Sequence, residues 1–459
     1  MNQVPEQGSF RDRDGFVFYK DAKVFRAIHP SYLPTWEKLI VSPFFTEMLS
    51  DGKIISFSPA ADPHVTEGLP GYRVIEAARV PFISYPVEWP FVYLKKAALL
   101  TLSIQLQAME NGFTLKDASA YNVQFVGTKP VFIDHLSFGI YEEGEPWHPY
   151  RQFCQHFLGP LLLMHYGLDD LKQLYSAFTD GIPLHVISQV LPWRSRLNLA
   201  TLTHLHLNAR FEKKHAGDTK INSRKLQISK QRSIAYITHL KSFVQSLQVR
   251  KKNTGWTGYY NDCSYTSTGL DIKKKFVEQQ LTAISGALCV DLGANTGEFS
   301  ELACKHFHTV VACDNDLEVV SRLADRKISN LLCLHVDISN PTPATGWNNE
   351  ERKPFSERIR EADCVMALAL MHHLCIGNNV PMEKLASYFA NIKGRLIIEW
   401  VPKDDPQAQR LLVTRKDVFE DYTLAEFRRS FAAHYDVVEE LNTGGTGRIL
   451  FHFKKHTAV

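Results

Sequence analysis

The chain has 459 residues and eight cysteines, and no two cysteines stand in a Cys-x-x-Cys pair. That spacing is what a zinc ribbon or a dithiol redox centre needs. Cys289, Cys313, Cys333 and Cys364 fall in apolar runs, where a thiol acts as a small buried hydrophobe. A reduced protein with no metal site is expected. Long apolar runs are also missing. The most apolar stretches, 97–109 and 157–166, are too short and too interrupted to cross a bilayer. Met1–Glu6 has neither the basic nor the apolar region of a secretory signal. No membrane span and a cytoplasmic location are therefore expected. Gly-x-Gly-x-x-Gly occurs nowhere, which removes the usual dinucleotide-binding turn. A large excess of charge of one sign is missing as well, the net being +3 from 52 basic and 49 acidic residues.

What is present is an ordinary globular composition, 44% hydrophobic and 22% charged, with length for about two to three domains. The charge is unevenly placed. Residues 209–252 carry twelve Lys or Arg against Glu212 and Asp218, leaving 40 basic and 47 acidic residues elsewhere. One basic band joins two mildly acidic bodies.

In 287–299 an apolar run closes on Asp291, and Gly293 and Gly297 follow four apart before a helix-compatible segment. This is a buried strand entering a tight turn and a helix, with side chains removed where backbone must approach a ligand. Three more apolar runs follow the same rule: 309–314 ends in Asp314, 331–338 reaches Asp337 and Ile338, and 363–370 runs into His372 and His373. Asp314 lies 17 residues after Gly297, close to the spacing at which a carboxylate takes ribose hydroxyls. A fifth strand, 395–402, carries Glu399 at its end, a candidate either to bind substrate or to hydrogen-bond within the sheet crevice, and 435–441 and 448–453 form a hairpin.

Asp-x-Gly-x-x-x-Gly, the acids at strand ends and the closing hairpin resemble class I S-adenosylmethionine (SAM)-dependent methyltransferases. The resemblance covers about 260–459. It implies a doubly wound Rossmann-like sheet with a terminal β-hairpin and SAM as cofactor. It places Asp291, Gly293, Asn295 and Gly297 at the turn, Asp314 at the ribose, and Asp337 and Ile338 at the adenine. Tyr260 or Tyr265, in the aromatic stretch 256–266, is a candidate cover for the sulfonium. A hydroxyl acceptor needs a base as its proton leaves. One of His372 and His373 is the candidate, since imidazole titrates near neutrality. Lys403, Asp404 and Asp405 are expected in an entrance loop.

The first 210 residues read differently. Residues 15–28 form a hairpin, helices are expected over 34–49 and 92–111, and Asp117 is followed by Asn122 and, after an apolar hairpin, Asp134. This pattern resembles the catalytic loop and metal-binding Asp of protein-kinase-like phosphotransferases. It implies Asp117 as base and Asn122 and Asp134 as ligands of magnesium on ATP. The departures are clear. Leu115-Lys116 stands where His-Arg is typical, His135 follows Asp134 where Phe-Gly is typical, and no Gly-rich loop precedes. Arg26 is the substitute for the missing Lys, with Glu37 or Glu47 as its partner. His204 and His206, two apart, carry no metal-site pattern.

The expected organisation is an N-terminal α+β kinase-like domain (1–210), a basic helical linker (211–259) and a methyltransferase domain (260–459). Asp117-Ala118-Ser119-Ala120-Tyr121-Asn122, Phe132-Ile133-Asp134 and 367–373 together resemble a bacterial family that includes nodulation-type methyltransferases. That resemblance implies a small-molecule or saccharide-like acceptor, and the missing Asn-Pro-Pro-Tyr sequence after the fourth strand points to O-methylation, with nucleic acid an unfavoured partner. Two alternatives are a bifunctional kinase-methyltransferase using ATP-Mg and a non-catalytic SAM-binding interaction protein.

Overall fold

A computed structural model describes residues 4–215, 227–249, 267–413, 415–444 and 447–456. The chain divides into two compact units. The first comprises 1–125, 129–250 and 344–353; the second comprises 126–128, 251–343 and 354–459.

The first unit begins with β1 (Val4–Pro5), β2 (Gly15–Lys20), β3 (Lys23–Ile28), β4 (Phe57–Pro59) and β5 (Arg73–Ala77). They form an antiparallel sheet in the order β1-β2-β3-β5-β4. The expected hairpin pairs β2 with β3 across Asp21 and Ala22, whose φ angles of 50° and 62° give the tight two-residue turn its twist. The helix expected over 34–49 is instead two helices, Leu33–Ile40 and Pro43–Ser50. Pro43 has no N–H and forces Ser42 to extended backbone (ψ 131°), so it ends one helix and starts the next.

The long helix Phe91–Glu110 follows, buried along Leu94, Ala98, Leu102 and Met109. Then come β6 (Phe113–Leu115), β7 (Val123–Val126), β8 (Lys129–Phe132) and β9 (Phe138–Ile140), with β6 paired to β9 and β7 to β8. The basic band contains the helix Lys230–Ser246, which buries Ile237, Leu240 and Val244. Its C-terminal carbonyls at Gln245 and Leu247 accept hydrogen bonds from Lys95 at 2.7 and 2.8 Å.

The second unit is built on β10 (Gly286–Leu292), β11 (Phe307–Asp314), β12 (Leu331–His335), β13 (Cys364–Ala367), β14 (Arg395–Trp400), β15 (Tyr435–Asn442) and β16 (Ile449–Lys455). Their order is β12-β11-β10-β13-β14-β16-β15. β10 to β14 are parallel; β16 is antiparallel to both β14 and β15. Cys289, Val290, Val310, Val311, Val365 and Ile397 are fully buried, as strands covered on both faces require. The chain direction across the sheet reverses at β10 and β13, where the strand C-termini open a crevice.

Candidate active site

The end of β10 turns through three left-handed residues, Gly293 (φ 74°), Asn295 (φ 46°) and Gly297 (φ 86°). The Gly293 and Ala294 N–H groups donate to the Cys313 carbonyl at 2.8 and 2.9 Å, tying the turn to β11. Gly297 precedes the helix Glu298–Ala303, and a Cβ there would lie 2.3 Å from Leu323 Cδ1. Asp291 is buried. Ser300 Oγ donates to it at 2.6 Å, yet burial pushes its carboxyl up to about 6. Asp314 accepts from the Asn295 N–H at 2.8 Å and the Asp316 N–H at 2.9 Å. Burial raises its carboxyl above the ordinary range, and those donors oppose the rise.

A cavity of about 270 Å³ opens beside this turn. Asp291, Gly293, Asn295, Asp314, Asp337 and Ile338 all line it. Gly297 does not line it and serves the turn and its packing on Leu323. Tyr260 and Tyr265 lie outside the described residues. His373 lines the cavity, whereas His372 stands behind it at 0% exposure, the two ring centroids 4.1 Å apart. Burial holds the His373 imidazolium down to about 4, and the charge of Arg448 adds to the effect. His372 is held well below its ordinary value by burial, then by His373, Arg448 and Lys273. Both are neutral near pH 7.

Two features of the cavity wall, and one behind it, were not expected from the sequence. Lys273, on the helix Ser267–Ile284, lines it and donates to Glu399 Oε2 at 2.6 Å. Ala369, left-handed at φ 51°, also lines it and donates its N–H to the same oxygen at 2.8 Å. Behind them Arg448 lies 3.6 Å from Glu399 and grips Asp405 at 2.7 and 3.0 Å, every side chain of this trio being fully buried. Asp405 is therefore not an entrance residue: it is buried by Arg448 and caps the helix Pro406–Leu412. Lys403 is engaged by Asp417 at 3.0 Å, and neither it nor Asp404 lines the cavity. Glu399 hydrogen-bonds within the crevice, one of the two roles expected for it, but its partners Lys273, Ala369 and Arg448 leave no local signature because they lie far away in sequence.

The first unit brings Asp117, Asn122 and Asp134 together. Asn122 Nδ2 donates to Ser137 Oγ at 3.2 Å, and Ser137 Oγ donates in turn to Asp134. Asp117 accepts from the Ser119 N–H at 2.8 Å, and burial raises its carboxyl. Arg26, expected against Glu37 or Glu47, is instead ion-paired with Asp134; Glu37 lies 3.6 Å from Arg73. Burial acts to raise the Asp134 carboxyl, but Arg26 and the Ser137 and Leu136 donors outweigh it and hold it below the ordinary range. Among the described residues no cluster of three or more His, Cys, Asp or Glu is arranged to hold a metal ion. His204 and His206 are buried: His204 bonds Tyr150 and His239, and His206 bonds Ser188 and Ser195.

No family model matches the chain. The nodulation protein NoeA of Rhizobium meliloti (strain 1021) is 33% identical over 458 residues, covering 98% of this chain and 95% of that protein. Among solved structures, the N-methyltransferase NodS from Bradyrhizobium japonicum WM9, in complex with S-adenosyl-L-homocysteine (SAH), aligns at 11% identity. It covers 44% of this chain and 99% of its own, with a TM-score of 0.30. Magnesium protoporphyrin IX methyltransferase from Synechocystis PCC 6803 with bound SAM aligns at 13% identity over 58% of this chain and 99% of that one, with a TM-score of 0.29.

Proposed function

The chain belongs to the family of the nodulation protein NoeA, and on that premise we propose that its 260–459 domain is a SAM-dependent methyltransferase. The observation that carries the reading is the cavity at the β10–β13 crevice, where the left-handed turn, Asp314 and Asp337 converge. These residues suit SAM. Gly293 lets backbone approach, since a Cβ there would already sit 3.2 Å from Leu370. Asp314 is an acceptor held by two backbone N–H groups, matched to a ribose diol. Asp337 and Ile338 offer an acceptor and an apolar surface for adenine.

SAM supplies an electrophilic methyl group on a sulfonium. The rest is positioning. His373, on the cavity wall, receives the proton of the acceptor hydroxyl. Burial lowers its imidazolium to about 4, so it is a weak base and takes the proton only as the methyl bond makes the oxygen acidic, while His372 packs against its ring. The acceptor in this reading is a small molecule, of saccharide-like type. Titration calorimetry with SAH tests the site. Wild type binds, and Asp314→Ala weakens binding about tenfold or more. No heat, or unchanged affinity in the variant, overturns the assignment. His373→Ala lowers methyl transfer from labelled SAM into fractionated extract by about 10²-fold or more while sparing SAH affinity.

The 1–210 domain is read as a kinase-like body that recruits substrate, joined through the basic segment 211–259. Its support is the convergence of Asp117, Asn122 and Asp134 opposite Arg26. With a guanidinium on Asp134, the place of a magnesium ion is taken by the protein's own cation, which favours binding over phosphoryl transfer. ATP with magnesium gives no calorimetric signal on this reading; binding that Asp134→Ala removes would restore the bifunctional alternative.

A further inference from the structure

Isolated exposed hydrophobic side chains are normal, but clustered ones mark a surface with a partner. Of the seventeen large hydrophobic side chains exposed among the described residues, six fall between 190 and 211: Val190, Trp193, Leu197, Leu199, Leu207 and Phe211. Trp193, Leu197 and Leu199 are 71–75% exposed, so they protrude from the surface instead of lining a groove.

The segment that carries them is firmly folded. The His206 ring is buried and bonded through one nitrogen to Ser188 Oγ and through the other to Ser195 Oγ, each at 2.8 Å. That joins the helix Leu184–Val190 to the turn Trp193–Leu197. The helix Asn208–His215, which carries Arg210, packs against the helix Leu184–Val190, so it adjoins the turn that carries Arg194 and Arg196. Arg194 lies 5.8 Å over the Tyr166 ring.

The charge of the patch is of one sign. From Gly181 to Phe211 the chain contains no Asp or Glu, while Arg194, Arg196 and Arg210 stand among the apolar residues. A tryptophan with leucines and flanking arginines is the composition of a segment lying at a lipid interface. The apolar groups enter to headgroup depth and the arginines stay at the phosphates. Among the described residues no helix is long and apolar enough to cross a membrane, so attachment would be peripheral.

We propose that residues 190–211 form a docking surface for an anionic lipid bilayer, with Trp193, Leu197 and Leu199 inserted and Arg194, Arg196 and Arg210 on lipid phosphates. The assignment stands apart from the methyltransferase reading. It is tested by sedimenting the full chain with vesicles of phosphatidylcholine alone or mixed with phosphatidylglycerol. Wild type partitions to the mixed vesicles only, and added salt weakens it. Trp193→Ser/Leu197→Ser/Leu199→Ser lowers partitioning about tenfold or more. Arg194→Gln/Arg196→Gln/Arg210→Gln lowers it about fivefold per charge. Unchanged circular dichroism shows that both variants fold. Failure of wild type to bind mixed vesicles, or equal binding by the serine variant, overturns the proposal. A concentration-dependent dimer in sedimentation velocity that the serine variant abolishes would assign the face to a second copy and also overturn it.

Discussion

Arg448 and Asp405 are fully buried, and their two hydrogen bonds bring opposite charges together where neither can reach water. Removing one partner strands the other. Arg448→Met is expected to cost about 3–5 kcal/mol, read as a lower urea midpoint at unchanged slope. Arg448→Met/Asp405→Asn recovers part of that loss, because the stranded carboxylate is gone; no recovery would mean that packing, not charge, sets the cost. A second residue-scale test concerns His135, buried with Nε2 2.8 Å from the Ile55 carbonyl. Burial, helped by Arg26, lowers its imidazolium to about 4 from 6.5. Below pH 6.5 the unfolded chain takes up a proton that the folded chain refuses until about pH 4. This contribution to stability is therefore present above 6.5 and lost as pH falls through that window. His135→Gln keeps a donor but cannot titrate, so the difference from wild type shrinks by about 3 kcal/mol on going from pH 7 to 4. Denaturation midpoints at several pH values check this. Parallel pH curves for the two proteins would refute it.

The strand–turn–helix around Asp291–Gly297 shows what an element can reveal before its structure is seen. Its requirements are local: apolar residues for a strand covered on both faces, and glycine where φ is positive. The same holds for the runs ending at Asp314 and Asp337, and these are the parts of the site that the sequence exposed. Gly297→Ala puts a Cβ at a φ of 86° and 2.3 Å from Leu323 Cδ1. It is expected to cost about 1–3 kcal/mol and to weaken SAH binding, although Gly297 does not touch the cavity. Unchanged affinity and midpoint would show that the turn relaxes freely. The hidden part is of another kind. Lys273 and Glu399 are 126 residues apart, and Arg448 and Asp405 are 43 apart; no periodicity reports such pairs. His372 and His373 read alike in sequence, and only the π-helical turn beginning at His373 sends one to the cavity and the other behind it. Pro43, visible but unweighted, broke an element that its flanking apolar pattern suggested was continuous.

At the scale of the molecule each unit buries its own apolar side chains among the described residues. Phe18, Phe25 and Val74 cluster in the first, where Trp36, Phe45, Phe125 and Phe138 are also buried; the strands β10 to β14 are buried in the second. Composition and motif led to the expectation of two bodies and a linker; that 344–353, between β12 and β13 in sequence, groups with the first unit had no sequence signal. Arg11 fixes that segment by a two-point ion pair to Glu351 at 2.8 and 3.0 Å, and Arg352 lies 4.2 Å over the Tyr121 ring. A ligand stabilises only the folded unit that contains its site, by about 2.7 kcal/mol at a hundredfold excess over its dissociation constant. Hydrogen exchange with and without SAH separates the two units, because peptides are assigned by sequence. Core amides of β10, β11 and β13 that exchange only through unfolding of their unit should slow by about 100-fold. Those of β2, β3 and β5 should keep their rates. Equal slowing in both sets would mean that the chain opens as one cooperative body, and slowing confined to β2, β3 and β5 would place the SAH site in the first unit and end the present assignment.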